Sequence, residues 1–162
     1  MRLILLCALA HAGNSVDERA LVDAHNQLRK KHCAPPLAWS KKVAASAQKW
    51  ASHLRQICAL QHSGGQFGEN LAAGTAGMLD ESKVVSMWYD ESKHYNYKSG
   101  GFSMKTGHFT QVVWKETREV GCAKTSCNGL DIWVCQYDPP GNVEGFYRGN
   151  VAAPACAGTP SK

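Results

Sequence analysis

The chain has no Asn-x-Ser/Thr sequon, so N-linked glycan is not expected. It has neither His-Glu-x-x-His nor Gly-x-Ser-x-Gly, which removes the commonest signatures of zinc proteases and serine hydrolases. Apolar runs are short: LILLCALA at residues 3–10 is eight residues, far below the roughly 20 that span a bilayer. No apolar C-terminal tail is present, so a lipid anchor is not expected. No basic stripe interleaved with aromatics occurs, which argues against nucleic acid as a partner. Internal repeats and low-complexity segments are absent too.

What is present fits one domain of 162 residues with a sizeable core. Arg2, the run LILLCALA and the small-x-small site Ala10-His11-Ala12 read as a secretory signal over residues 1–12, with a single domain and a short C-terminal tail over 13–162. The alternative is an arbitrary apolar start on a cytosolic protein. Of seven cysteines, Cys7 lies in the signal, and the six that remain suggest three disulfides in an extracellular chain. Cys122 and Cys127 have a possible zinc-knuckle spacing, but no Cys-x-x-Cys accompanies them. The net charge of +5 falls to +4 once Arg2 is removed, and Arg29-Lys30-Lys31 and Lys41-Lys42 read as solvated helix faces. A mild attraction to anionic membrane surfaces stays open.

Helices come first. Ser15 and Glu18 form a capping box for a helix that runs to about Lys31, with Leu21, Ala24 and Leu28 on one face and Pro35-Pro36 beyond it. Ser40 can cap a second helix with a stripe of Val43, Ala47, Trp50, Ala51 and Leu54. Residues 61–77 read as loop with at most one short helix. Asp80 can cap a third helix with Val84, Trp88 and Tyr95 on a face. Three strand-like runs follow: HFTQVVW, EVGCAKTSC and LDIWVCQYD, the last two joined by the hairpin signal Asn128-Gly129 and the last closed by Pro139-Pro140-Gly141. This order suggests an α+β layered domain.

Two histidines and two carboxylates stand out. Glu91 falls three residues after Trp88 and four before Tyr95, so it faces the apolar side and needs a partner there. His62 and Glu69 flank a glycine-rich turn that permits both side chains to face one spot. His108 sits at the mouth of an apolar run. Such a set suits a divalent ion, zinc first, with an open position; it equally suits a hydrogen-bonded cluster with a structural role only.

The stretches HSGGQFGENLA, MWYDESKHYNY, GHFTQVVWKET and WVCQYDPPGNV, in this order along the chain, resemble the signature segments of the CAP superfamily: cysteine-rich secretory proteins, antigen 5 and pathogenesis-related class 1 proteins. The resemblance covers about Val16 to Val151. It implies a three-layer α-β-α sandwich around a central antiparallel sheet. It also implies that His62, Glu69, Glu91 and His108 converge in one cleft able to hold a divalent metal.

In plant members of the family the matching cysteines pair as Cys122–Cys135 and Cys58–Cys127. Cys33 and Cys156 then remain to tie the first loop to the tail. The plant proteins carry a further disulfide just before GHFTQ, where this chain has YKSGGFSMKT and no cysteine. Tyr95, Tyr97 and Phe102 have the spacing of a loop in sterol-binding fungal members, which implies sterol or small-lipid binding. On spacing alone, Tyr95 packing in a helix interface and Phe102 covering a sheet edge explain the same residues. The chain therefore reads as a secreted lipid-binding protein with no obligatory cofactor. The alternatives are a metal-dependent hydrolase with Glu69 or Glu91 as base, and a defence or virulence protein acting through a protein partner.

Overall fold

The computed structural model describes residues 15–155. The expected signal at residues 1–12 and the Cys33–Cys156 pairing lie outside the described residues, the latter because Cys156 does.

Helix α1 (Glu18–Lys31) starts one residue after Asp17, whose carboxylate accepts from Ala20 N at 2.9 Å. The expected Ser15–Glu18 box does not form, because Glu18 is itself the first helical residue. Strand β1 (Ala38–Trp39) leads into α2 (Lys41–Ile57), where Ser40 takes the cap position without a side-chain bond. Strand β2 (Gly68–Thr75) occupies much of the segment expected to be loop. Its Gly/Ala-rich sequence has little strand propensity; it is a strand because all eight of its residues pair with β4. Helix α3 (Glu81–Tyr89) is capped by Asp80 on Lys83 N and tightens into a 3₁₀ turn over Asp90–His94.

The run HFTQVVW is not a strand. Gly107–Val113 forms helix α4, and Phe109 through Val113 are all buried. A short run buried on every side shows neither alternation nor a stripe, so its periodicity cannot separate helix from strand. Strands β3 (Glu119–Cys127) and β4 (Leu130–Asp138) form the expected hairpin, with Asn128 and Gly129 at φ 48° and 76°, the positive values its two-residue turn requires. Helix α5 (Tyr147–Asn150) is the last regular element among the described residues.

The sheet order is β1-β3-β4-β2, antiparallel except for the two-residue edge β1, which runs parallel to β3. Two cores flank it. Ala47, Ala51 and Leu54 of α2 cover Leu71, Ala123, Ile132 and Val134. On the other face α1, α3 and α4 contribute Leu21, Val84, Trp88, Phe109 and Val112 against Val120, Trp133 and Tyr137. This is the α-β-α sandwich. Gly121 shows how closely α2 lies on β3: a Cβ there would sit 2.1 Å from Ala44 N. Two disulfides brace the hairpin: Cys122–Cys135 joins facing residues of β3 and β4, and Cys58–Cys127 ties the end of α2 to the end of β3.

Polar groups run through the larger core. Arg29, expected on a solvated face, has no exposed surface. Its guanidinium donates to Pro35 O, Val112 O, Trp114 O and Thr117 O at 2.8–3.0 Å, joining the end of α1 to the end of α4. His25, one turn earlier, donates through Nδ1 to Leu21 O at 2.8 Å, so its Nε2 accepts the Tyr137 hydroxyl at 2.9 Å.

Burial pushes the His25 pKa down to about 4 against the pull of the Leu21 bond, and the Arg29 charge adds to the drop. With an ordinary value of 6.5, the unfolded chain takes the proton first as pH falls, so this residue's contribution to stability is lost between about pH 6.5 and 4. The loss amounts to about 3 kcal/mol. Urea denaturation near pH 7 and near pH 4 is expected to show this extra loss in the parent relative to His25→Gln. Equal losses in the two proteins would contradict it.

Candidate functional site

One His/Glu pair is built on the edge strand β2 and the other between the 3₁₀ turn and the start of α4. Glu69 is the second residue of β2, beside Gln136 of β4 in register. Its Oε1 accepts from His62 Nδ1 at 2.8 Å and from Ser63 N at 2.9 Å, and its Oε2 accepts from Gln136 Nε2 at 2.9 Å. Burial raises the Glu69 pKa, but these hydrogen bonds outweigh it and hold the carboxyl below the ordinary range. The bond to Glu69 in turn raises His62.

Glu91 reaches the start of α4 from the 3₁₀ turn. Its Oε2 accepts from His108 N and Phe109 N at 3.0 and 3.1 Å, and its Oε1 accepts from His108 Nδ1 at 2.7 Å. One carboxylate thus satisfies two first-turn amides of a helix that has no side-chain cap of its own. This is the partner that the inward-facing Glu91 needed. Burial raises its pKa, and the His108 and Phe109 bonds more than offset this and hold it low.

Both pairs share one design. The Glu69 side chain is 5% exposed behind a 61% exposed His62, and Glu91 is 21% exposed behind a 33% exposed His108. Each carboxylate accepts the Nδ1 proton, so each neutral imidazole keeps its lone pair on Nε2. His62 and His108 line one cleft of about 260 Å³ together with Glu69, Asn70, Phe102 and Met104. Among the described residues, no group of three or more His, Cys, Asp or Glu is arranged to hold a metal. The atoms left open toward an ion are the two imidazole Nε2 atoms, because the carboxylates behind them are engaged with the Nδ1 atoms.

The aromatic loop divides. Tyr95 is buried and Tyr97 half-buried; both pack edge-on against Phe109, and Tyr97 also stacks on His32. Phe102 instead stands 55% exposed at the cleft, against Gly107, and Met104 beside it is 85% exposed. The structure therefore brings Phe102 to the tetrad and leaves Tyr95 and Tyr97 as anchors of the loop.

Asn70, Ser63 and Gln136 were not singled out in the sequence. Asn70 donates to His108 O at 3.1 Å and to the Tyr137 hydroxyl at 3.3 Å, linking the cleft to the His25 chain. No local pattern marks these residues; only strand register makes Gln136 a neighbour of Glu69.

The family model for cysteine-rich secretory proteins, CAP, matches residues 22–137. The chain belongs to the CAP family. It is 43% identical over 145 residues to pathogenesis-related protein 1B of Nicotiana tabacum, covering 88% of this chain and 85% of the relative. This CAP protein is also 44% identical over 134 residues to "Repressed by EFG1 protein 1" of Candida albicans, covering 78% of this chain and 47% of that longer protein. Among solved structures, "Crystal structure of NaASP2 with Zn2+" matches with a TM-score of 0.69 and 26% identity, covering 89% of this chain and 90% of that one. The disulfides fit an oxidising compartment, and no described helix is long and apolar enough to cross a membrane.

Proposed function

We propose that this CAP protein is an extracellular binder of a sterol or related small lipid, seated against Phe102 and Met104 at the lip of the His62/His108 cleft. The observation that carries the reading is the exposure of two large apolar side chains at the mouth of a partly polar cleft. A rigid ring system gains its free energy from such apolar contact, and a single polar end suits the imidazole-lined interior. Tyr95 and Tyr97 hold the loop, and among the described residues no disulfide spans it. Both carboxylates lie behind imidazoles with both oxygens engaged, an arrangement that favours holding a ligand over acting as a general base.

Labelled cholesterol is expected to bind the purified protein saturably, and Phe102→Ala to weaken binding about tenfold through lost apolar contact. Absence of saturable binding, or equal binding by the variant, would sink the lipid reading.

The Nε2 pair favours a second, compatible property. A divalent ion such as zinc would be held by His62 and His108; one solved neighbour, NaASP2, is named as a structure with Zn2+. Calorimetry with zinc alone is expected to give one site that His108→Ala abolishes. Unchanged zinc binding by that variant would place the ion elsewhere.

A further inference from the structure

A second pocket, of about 330 Å³, lies on the α2 side of the sheet, adjoining the Glu69 pair. Its walls are Trp50, Lys49 and Ser46 of α2 and Ser63 and Phe67 of the turn before β2, and Gln136 of β4 also lines it. Gln136 is almost fully buried. Its Nε2 must face Glu69 Oε2, which only accepts, so the orientation of the amide is settled by chemistry and Oε1 is turned away from that partner. That Oε1 is buried and has no hydrogen-bond partner among the described residues. A buried carbonyl oxygen in this condition is uncommon and marks a place where a donor belongs.

The walls are fixed in advance. Trp50 stacks on His53 at 4.6 Å and donates Nε1 to Gln61 O at 2.8 Å, and the Lys42 ammonium lies 5.6 Å from the Phe67 ring centre. Two held aromatic rings, two hydroxyls, one ammonium and one acceptor without a partner suit a ligand with a C–H face and a rim of hydroxyls. A lipid has no use for the acceptor, and an anion would meet the Gln136 oxygen with the wrong sign. We propose that this pocket is a binding site for one pyranose unit of a neutral oligosaccharide. Its C–H face lies on Trp50 and Phe67, and a small shift of the Gln136 amide, buried in the free protein, brings Oε1 to one of its hydroxyls. Because Gln136 and Ser63 both hold Glu69, occupancy is transmitted to the His62 imidazole across the shared carboxylate.

The test is a nitrogen-15 NMR titration of the full chain with chitotetraose, cellotetraose and laminaritetraose. At least one is expected to shift the Gln136 side-chain amide and the Trp50 indole saturably, with the His62 ring following. Phe67→Ala is expected to weaken that binding about fivefold or more. The exposed Lys49→Ala, which leaves the fold untouched, is expected to weaken it about twofold to threefold. No saturable shift with any of the three sugars in the parent would overturn the proposal. So would parent-like affinity in both variants, or shifts confined to His108 and Phe102, which would assign the sugar to the cleft.

Discussion

Replacing Arg29 with methionine is expected to destabilise the fold by about 3–5 kcal/mol. The methionine matches the stem of the side chain and keeps the apolar contacts. What it removes is the donor fork that serves four carbonyls: Pro35, Val112, Trp114 and Thr117. Val112 O loses this buried donor, Trp114 O is left with Thr117 N alone, and Thr117 O is left with the Arg118 guanidinium. Lysine is not a remedy, because one ammonium cannot reproduce a planar fork aimed at four separate oxygens. Arg29→Lys is therefore expected to recover only a minor part of the loss. Val112 and Trp114 sit at the end of α4, so the same substitution loosens the helix that carries His108. Burial and neighbouring Arg118 lower the Arg29 pKa to about 10 even with Tyr137 opposing, so the group is still charged at neutral pH. Urea unfolding of the three proteins checks this. A methionine variant within about 1 kcal/mol of the parent would show that the carbonyls find other donors.

The second large effect belongs to Glu91. Glu91→Ala is expected to cost about 3–4 kcal/mol, since it removes a charge-assisted bond to the His108 ring and two to first-turn amides of α4. Glu91→Gln retains one acceptor oxygen and is expected to cost about half as much. The same bonds give a pH signature. The folded carboxyl is held below its ordinary 4.5, so its stabilisation is complete above that value and is lost as pH falls through the lower folded value. Glu91→Gln is therefore expected to flatten the stability profile below about pH 4.5 relative to the parent. It is also expected to move the His108 ring resonances while leaving those of His62 in place, because His62 answers to Glu69. Loss of both histidine signatures together would mean that the two pairs form one unit.

Much of this architecture was legible in the residues. The stripe of α2, the cap at Asp80, the inward aspect of Glu91 and the turn at Asn128-Gly129 follow from local periodicity and backbone chemistry. Two elements were misread for opposite reasons. α4 is buried on nearly every side, polar Thr110 and Gln111 included, and carries strand-forming residues, so its helix rests on Glu91 at one end and Arg29 at the other, both distant in sequence. β2 is made of small residues with weak preference, and it is extended because β4 offers a complete edge. Arg29 looked like one of a run of surface cations, since charge in a sequence carries no sign of the carbonyls that await it.

By itself the sequence determined the family, the three long helices, the β3–β4 hairpin and the four polar residues that form the pairs. Motifs and short-range spacing carry those facts along the chain. Only the tertiary structure decided that the four residues act as two imidazole–carboxylate pairs, that Phe102 leaves its aromatic neighbours for the cleft, and that Gln136 lies beneath a second pocket. Each of these depends on strand register or on a contact between distant segments. Hydrogen-bond direction then fixes which atoms remain open, and no local pattern records that.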